Sequence, residues 1–238
     1  MFKLLSTANP KIQKGTKLGY LSFILHLAPA DLSGRETCPK RTAGCTAACL
    51  NTAGRGGMFK RGETTNAIQR ARIRKTEYFF NDRAGFMADL ANDIRKGIRF
   101  AERKGLTPVF RLNGTSDLSW EKYTVAEGSN IFEMFPTVQF YDYTKVLGRK
   151  FKHLENYHLT FSKADGNDAD VARAIEQGYN IAAVFDEVPA TYMGLPVINA
   201  DETDLRFLDP KGSIAGLKAK GRAKKDYSGF VIRLKEVA

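Results

Sequence analysis

The sequence has few of the features that stabilise small secreted proteins or anchor proteins in membranes. Its 238 residues include three cysteines, and an odd number of cysteines cannot all pair within one chain. The N-terminal segment MFKLLSTANPKIQKG lacks the long apolar run of a signal peptide, and no run of about 18 apolar residues could cross a bilayer. We therefore predict a protein of the cytosol that has no structural disulfide and makes no membrane contact.

Acidic residues are fewer than basic ones. The chain has 26 Asp and Glu against 37 Lys and Arg, which gives a formal net charge of +11. This excess favours an anionic partner such as nucleic acid, a nucleotide or a phosphate. The sequence also lacks internal repeats, low-complexity tracts and linkers, while its 43% of hydrophobic residues is typical of globular proteins. We predict one domain over residues 1–238.

Short apolar runs alternate with helical patterns along the chain. Eight runs predict strands, at residues 20–27, 108–112, 137–141, 157–161, 180–185, 196–199, 213–217 and 229–234. Helices are predicted at residues 66–80, 83–104 and 168–177. The alternation favours a parallel sheet, and eight strands favour an α/β fold, an irregular or incomplete TIM-like (β/α)8 barrel. A doubly wound open sheet is the alternative, although no GxGxxG dinucleotide fingerprint follows the first strand.

All three cysteines lie within CPKRTAGCTAAC, in a loop predicted over residues 28–57. Their spacing is Cys38-x6-Cys45-x3-Cys49, and one helical turn would bring Cys45 and Cys49 onto one face. Cysteine thiolates are the ligands that iron–sulfur clusters use, so we predict a [4Fe–4S] cluster held by these three residues. The remaining iron would bind water, a small molecule or a side chain, for which His26 at the end of the first predicted strand is a candidate.

Two other interpretations of the cysteines stay open. A structural zinc site normally has four ligands, often including a C-x2-4-C pair, so zinc would need a histidine from elsewhere in the chain. The cysteines could also be buried as small hydrophobic residues. A metal or cluster site explains their grouping between Cys38 and Cys49 better than independent burial does.

The cysteine loop follows the first predicted strand, at the face where barrel enzymes build their active sites. Radical S-adenosylmethionine enzymes are similar in carrying three cysteines after their first strand, with one iron open to the cosubstrate. Their usual spacing is C-x3-C-x2-C, which differs from the spacing here. The likeness is one of position alone. It makes S-adenosylmethionine a candidate ligand and leaves open whether the protein is a radical or redox enzyme.

Polar residues follow several of the other predicted strands. If these strand ends share one opening, the side chains would line a pocket for a small molecule. The candidates are Asn113, Asp117, Asp142, Lys163, Asp186 and Asn199. Directly after the cysteines, the segment Gly54, Arg55, Gly56 and Gly57 could bind an anion through backbone N–H groups or could form a flexible turn.

Two groups of basic residues are candidates for phosphate contacts. Arg70 and Arg74 lie one helical turn apart, and Lys220 and Arg222 belong to the run KAKGRAKK. They support an alternative function, a basic nucleic-acid-binding protein with a structural zinc or cluster site. A solvated surface would explain the same residues.

Several phrases of the sequence are distinctive, namely NPKIQKG, LHLAPADLSG, CLNTAGRGG, ARIRKTEYFF and GSIAGLKAKG. With them the chain resembles the phage gene product 88 family from about Asn9 onwards. The resemblance implies a phage origin and expression in the host cytoplasm. It brings no established reaction, so it assigns no catalytic residue.

Overall fold

A computed structural model of the chain describes residues 3–7, 14–52, 54–126 and 128–234. Its strands are β1 (Leu5–Ser6), β2 (Tyr20–Leu25), β3 (Thr107–Arg111), β4 (Thr124–Ala126), β5 (Ser129–Asn130), β6 (Gln139–Thr144), β7 (Tyr157–Ser162), β8 (Ile181–Phe185), β9 (Thr191–Tyr192), β10 (Leu195–Asn199), β11 (Ile214–Lys218) and β12 (Val231–Ile232). Its α-helices are α1 (Ala43–Ala47), α2 (Ala67–Asn81), α3 (Arg83–Glu102), α4 (Ile131–Met134) and α5 (Asp168–Glu176). Each of the eight predicted strands and three predicted helices overlaps one of these elements.

Seven parallel strands form the centre of the main sheet, in the order β2-β3-β6-β7-β8-β11-β10. Several of these strands are nearly continuous apolar runs because both faces of the sheet are covered. The short strand β12 pairs with Val184 and Phe185 of β8, beyond the point where β7 pairs with Ile181 and Ala182. The prediction of an α/β fold with a mostly parallel sheet is confirmed.

A closed barrel is not found among the described residues. β1 pairs antiparallel with the outer edge of β2, and β9 pairs antiparallel with the outer edge of β10. These two strands occupy the edges that would have to meet to close a barrel. Moreover, β11 lies between β8 and β10, so the last strands do not follow chain order.

One face of the sheet carries the long helices and the larger core. Phe23 and Phe110 stack with their ring centroids 5.0 Å apart, and Phe86 and Leu90 of α3 are fully buried in the same core. A Cβ atom at Gly97 of α3 would lie 3.0 Å from the Phe110 ring, so this glycine lets the helix approach the sheet closely. The long helix α3 therefore packs directly on this face of the sheet.

The opposite face is covered near β3 and β6 by the segment that follows β10. Leu205 packs against Val109 and Tyr141, all of them buried. Next to them, Arg111 of β3 forms an ion pair with Asp204 at 2.8 Å. This cover leaves a cavity at the carboxyl ends of the parallel strands.

Candidate functional site

A cavity of about 280 Å³ lies at the carboxyl ends of the central strands, and all three cysteines line it. Its polar lining includes Asn113, Asp117, Lys145 and Lys163, and its apolar lining includes Ala182, Val184, Leu217 and Phe230. In parallel α/β proteins, ligands bind at this edge of the sheet. The fold therefore brings the cysteine loop to the position where a ligand site is expected.

The short helix α1 positions Cys45 at the cavity wall. Thr42 caps the helix, since its hydroxyl accepts a hydrogen bond from the N–H of Cys45 at 3.2 Å. The carboxylate of Asp165, in the loop after β7, accepts hydrogen bonds from the N–H groups of Gly44 at 3.0 Å and Cys45 at 3.2 Å and from the Thr42 hydroxyl. Burial opposes ionisation of Asp165, but these hydrogen bonds outweigh it and lower its pKa.

Gly44 allows two other loops to press against α1. A Cβ atom at this position would overlap Ser228 Oγ and would lie 2.7 Å from Asp165 Oδ1. Asp165 and Ser228 belong to segments that are far from the cysteine loop in sequence. The place of Cys45 is therefore set by long-range contacts as well as by the loop itself.

The other two cysteines are held by backbone contacts. The N–H of Ala30 lies 3.4 Å from Cys38 Sγ, and the N–H of Asn51 lies 3.5 Å from Cys49 Sγ. Burial raises the pKa of Cys38 to about 11 and also raises the pKa of Cys49, so both thiols are neutral without a metal. Metal binding would release these protons, because thiolates are the ligand form. All three cysteines are free of disulfides.

Lys145, two residues after the partly buried Tyr143 of β6, lines the same cavity as the cysteines. Its side chain lines the cavity and lies in the electrostatic field of Cys45, Asp117 and Cys38. Burial works to lower the pKa of Lys145, but these neighbours outweigh burial and raise it. Its backbone N–H donates to Asp117 Oδ2 at 2.8 Å. The Lys145 cation therefore belongs to the part of the cavity lining that Cys38, Cys45 and Cys49 form, here called the cysteine wall.

The geometry of the wall bears on the kind of metal. Among the described residues, no three His, Cys, Asp or Glu side chains stand close enough to share one metal ion. A tetrahedral zinc needs ligands that converge on one point at about 2.3 Å. In an iron–sulfur cluster each thiolate binds a different iron, which spreads the sulfur atoms around the cluster. The three cysteines share one cavity, but within the described part of the chain they do not form a group that could hold a single metal ion.

Three of the predicted pocket residues do line the cavity, namely Asn113, Asp117 and Lys163. Asn113 is fixed on several sides, because its side-chain oxygen accepts from the N–H of Leu118 at 2.9 Å and from the Trp120 indole at 3.0 Å. Its own N–H donates to Asp142 Oδ1 at 2.6 Å. Asp142 thus lies directly behind the lining, where it supports Asn113.

The remaining pocket candidates lie outside the lining. Asp186 accepts from the N–H of Leu234 at 3.4 Å, and Asn199 donates to the Glu202 carboxylate at 3.3 Å. His26 is not part of the lining either. Its Nδ1 is buried without a hydrogen-bond partner, 2.6 Å from where a Cβ on Gly114 would be. Burial, followed by the charge of Arg72, lowers the pKa of His26 to about 3 and keeps the ring neutral.

The glycine-rich segment forms a 3-10 turn at Gly54–Gly57 that is not part of the cavity lining. The carbonyl of Gly56 accepts hydrogen bonds from Asn66 at 2.9 Å and Gln69 at 3.3 Å, both at the start of α2. These contacts give Gly56 a structural role in joining the loop to α2. The side chain of Arg55 lies outside the described residues.

The two basic groups differ in their relation to the cavity. Lys220 lines it and pairs with Asp201 at 2.6 Å, while Arg222 is exposed in the 3-10 turn Gly221–Lys225. On α2, Arg70 donates to the carbonyl of Thr65 at 2.6 Å, and Arg74 is exposed. Only the first group is next to the cysteine site.

A profile of the gene product 88 family matches residues 3–234. The chain belongs to this family of phage proteins. A search of curated proteins and a search of solved structures each found no significant match. No helix of this family member is long and apolar enough to cross a bilayer, within the part of the chain that the structure describes.

Sequence reasoning missed Arg111 and Asp204, which both line the cavity of this gene product 88 protein. The Arg111 guanidinium also lies 4.6 Å from the centre of the Tyr143 ring. One signal was present in the sequence, since Arg111 is a charged residue inside the otherwise apolar strand TPVFR. Its partner Asp204 lies in a loop 93 residues later in the chain, so no local sequence pattern could show this contact.

Proposed function

We propose that this protein binds a [4Fe–4S] cluster through Cys38, Cys45 and Cys49, with one iron left open to the cavity. The observation that carries the proposal is that all three cysteines line one cavity at the carboxyl end of a parallel sheet. Sulfur is the ligand that such clusters require, and the cavity offers space for a molecule at the open iron. The alternative of independent burial would not place three thiols on one wall.

The fold supports the same proposal. The central strands run in parallel, and the first five follow chain order, as they would in an incomplete (β/α)8 barrel. In this reading β1 and β9 end the sheet where a full barrel would continue. We propose this incomplete barrel as the architecture, with the cluster at its carboxyl mouth. The host cytoplasm, a reducing compartment, is the place we propose for a protein with three free thiols.

A small molecule at the open iron is the next part of the proposal. Asn113, Asp117 and Lys163 would bind its polar groups, and the apolar wall around Leu217 and Phe230 would exclude water. S-adenosylmethionine is one candidate, which would make the protein a radical enzyme. A redox or ligand-binding role is the other.

Metal analysis tests the cluster directly. Protein purified without oxygen should be brown, absorb near about 400 nm, and contain iron and acid-labile sulfide. Cys45→Ser should lose the iron and become less soluble, because metal binding is coupled to folding. Ala47→Ser is the matched control, since it places the same side chain on the exposed side of the same helix.

The outcomes separate the three interpretations. Colourless protein with one zinc per chain would overturn the cluster and favour a structural zinc. Protein without any bound metal after anaerobic reconstitution would favour buried thiols. Full iron content in Cys45→Ser would show that the ligand set is wrong.

A separate assay tests the radical role. Reduced cluster-loaded protein incubated with S-adenosylmethionine should release 5′-deoxyadenosine. If the cluster is intact and this product is absent, the radical role is wrong and the redox or binding role stands.

A second candidate function is nucleic-acid binding at the rim of the same cavity. Ala223, in the basic turn Gly221–Lys225, packs against Ala48 beside the cysteine helix. This contact places exposed basic side chains next to the cavity mouth, where they could bind phosphates without reading sequence. In this case the cysteine site, with zinc or a cluster, would be structural.

Salt dependence tests this second candidate. Binding to single-stranded and duplex oligonucleotides should weaken steeply as salt rises. The double variant Lys220→Gln with Arg222→Gln should bind more weakly and with a smaller salt slope, whereas Arg70→Gln with Arg74→Gln should change neither if the rim is the interface. No binding at low salt would remove this candidate.

A further inference from the structure

Lys145 is placed to interact with the cysteine wall as a whole. Its backbone is fixed where the chain leaves β6, because its N–H donates to Asp117 Oδ2 at 2.8 Å. Its side chain lines the cavity together with all three cysteines and lies in the electrostatic field of Cys45, Cys38 and Cys49. One ammonium group thus shares the cavity with all three candidate ligands.

Three other cationic groups of the cavity have carboxylate partners, whereas Lys218, which also lines the cavity, is exposed. The Lys163 ammonium lies 3.1 Å from Asp168 Oδ1, Lys220 pairs with Asp201 at 2.6 Å, and Arg111 pairs with Asp204 at 2.8 Å. These charges are compensated within the protein. Lys145 differs, because among the described residues its ammonium group forms no ion pair with a carboxylate, and Cys45, ahead of Asp117, contributes most to the field around it.

We propose that Lys145 is a positioning residue that compensates the negative charge of the cluster and sets its reduction potential. This inference rests on the proposed function. Three thiolates make the bound cluster anionic, and each electron that it accepts adds one negative charge. A nearby ammonium group stabilises the reduced form more than the oxidised form. Net charge and hydrogen bonds to sulfur are the features by which proteins set cluster potentials.

The test compares Lys145→Met, Lys145→Gln and Lys145→Arg with the wild-type protein. Iron and sulfide are measured first, and the potential is then measured by a redox titration followed by electron paramagnetic resonance. In the Met and Gln variants the one-electron equilibrium should shift at least tenfold toward the oxidised cluster, which corresponds to a potential about 59 mV lower. Lys145→Arg should stay near the wild-type value. Lys163→Met is the control, and its potential should change less because Asp168 compensates that charge.

The possible failures are distinguishable. A wild-type protein without a cluster would overturn the proposed function. A wild-type cluster whose potential is unchanged in Lys145→Met and Lys145→Gln would overturn this inference alone. If these two variants cannot hold the cluster, its retention in Lys145→Arg supports the charge-compensating role. Loss in Lys145→Arg as well would show that charge is not the property required, and would overturn the inference.

Discussion

Asp165 accepts a hydrogen bond from the N–H of Cys45 at 3.2 Å, although 120 positions separate the two residues. Through this contact the loop after β7 holds the helix that carries the central cysteine. A five-residue helix is too short to be stable by itself, so its position depends on such contacts. The cysteine site is therefore built by the folded sheet and cannot be regarded as a property of the cysteine loop alone.

Removing the Asp165 carboxylate should loosen the cysteine helix. Asp165→Ala deletes the acceptor of the Gly44 and Cys45 N–H groups, and loss of such an N-terminal cap costs about 0.5–2 kcal/mol. Urea unfolding should show a loss in this range, together with lower iron content after reconstitution. Asp168→Asn, an exposed carboxylate in the next helix, should leave iron content unchanged. Unchanged stability and iron content in Asp165→Ala would contradict the role assigned to this contact.

In Gly44→Ala, the sign of the change in the free energy of unfolding separates the local effect of helix propensity from the tertiary effect of packing. By helix propensity alone, replacing Gly with Ala inside a helix stabilises it by about 1 kcal/mol. Here the new methyl group would overlap Ser228 Oγ and crowd Asp165, and such overpacking typically costs about 1–3 kcal/mol. We expect a net loss in the free energy of unfolding. Adding Ser228→Gly should recover part of it, and a stabilised Gly44→Ala protein would show that the loops do not press on α1.

The eight strands that were predicted carry their own signal, whereas the short strands β1, β4, β5 and β9 were not predicted. Runs such as IAAVF of β8 are apolar enough to be buried on both faces, and their boundaries follow from the sequence within a few residues. The barrel closure was not predictable in the same way. Whether the sheet closes depends on β1 and on the β9–β10 pair. β1 and β9 have two residues each and β10 has five, and the pairing of such short segments is a tertiary effect.

The site was predictable to the extent that it lies at strand ends. Asn113, Asp117 and Lys163 follow β3 and β7 directly, and parallel strands bring such positions to one edge. Asp186 also follows a strand, but there β12 continues the sheet and brings Leu234 against its carboxylate. The cysteine spacing predicted a helical turn from Cys45 to Cys49, and α1 contains Cys45 but ends before Cys49. The contact of α1 with Asp165 has no local signal, because it needs a loop that lies far along the chain.

Asp142 should make stability depend on pH. Burial raises the pKa of this carboxyl from its ordinary 3.8 to about 7, and its hydrogen bond from Asn113 only partly opposes the shift. The folded state therefore binds a proton that the unfolded state has already lost. The resulting contribution to the free energy of unfolding is fully present below pH 3.8 and is lost as pH rises to about 7. The protonated carboxyl is the form that the buried site favours.

Comparison with Asp142→Asn isolates this effect. The free energy of unfolding of the wild type minus that of Asp142→Asn should increase as pH falls from 8 to 5, by about 1.4 kcal/mol per pH unit below pH 7. The partly buried histidines His26 and His158, whose pKa values are lowered to about 3 and about 4, are present in both proteins and cancel in the difference. Glu155→Gln, at an exposed position, is the control and should give a flat difference. A flat difference for Asp142→Asn as well would show that the carboxyl is ionised throughout.

The ion pair between Arg111 and Asp204 should be the most sensitive support of the cavity. Both side chains are largely buried, with exposed fractions of 15% and 7%, and their closest atoms are 2.8 Å apart. Arg111→Met would leave the Asp204 carboxylate buried without its partner, and breaking a buried pair in this way costs about 3–5 kcal/mol. Replacing both residues, with Asp204→Asn added, should cost less than Arg111→Met alone, because no unpaired charge remains. Urea unfolding of the wild type, the two single variants and the double variant measures the coupling. Strictly additive losses would mean that the two residues stabilise the fold independently, and the segment after β10 would then be held over the sheet by Leu205 and its apolar neighbours.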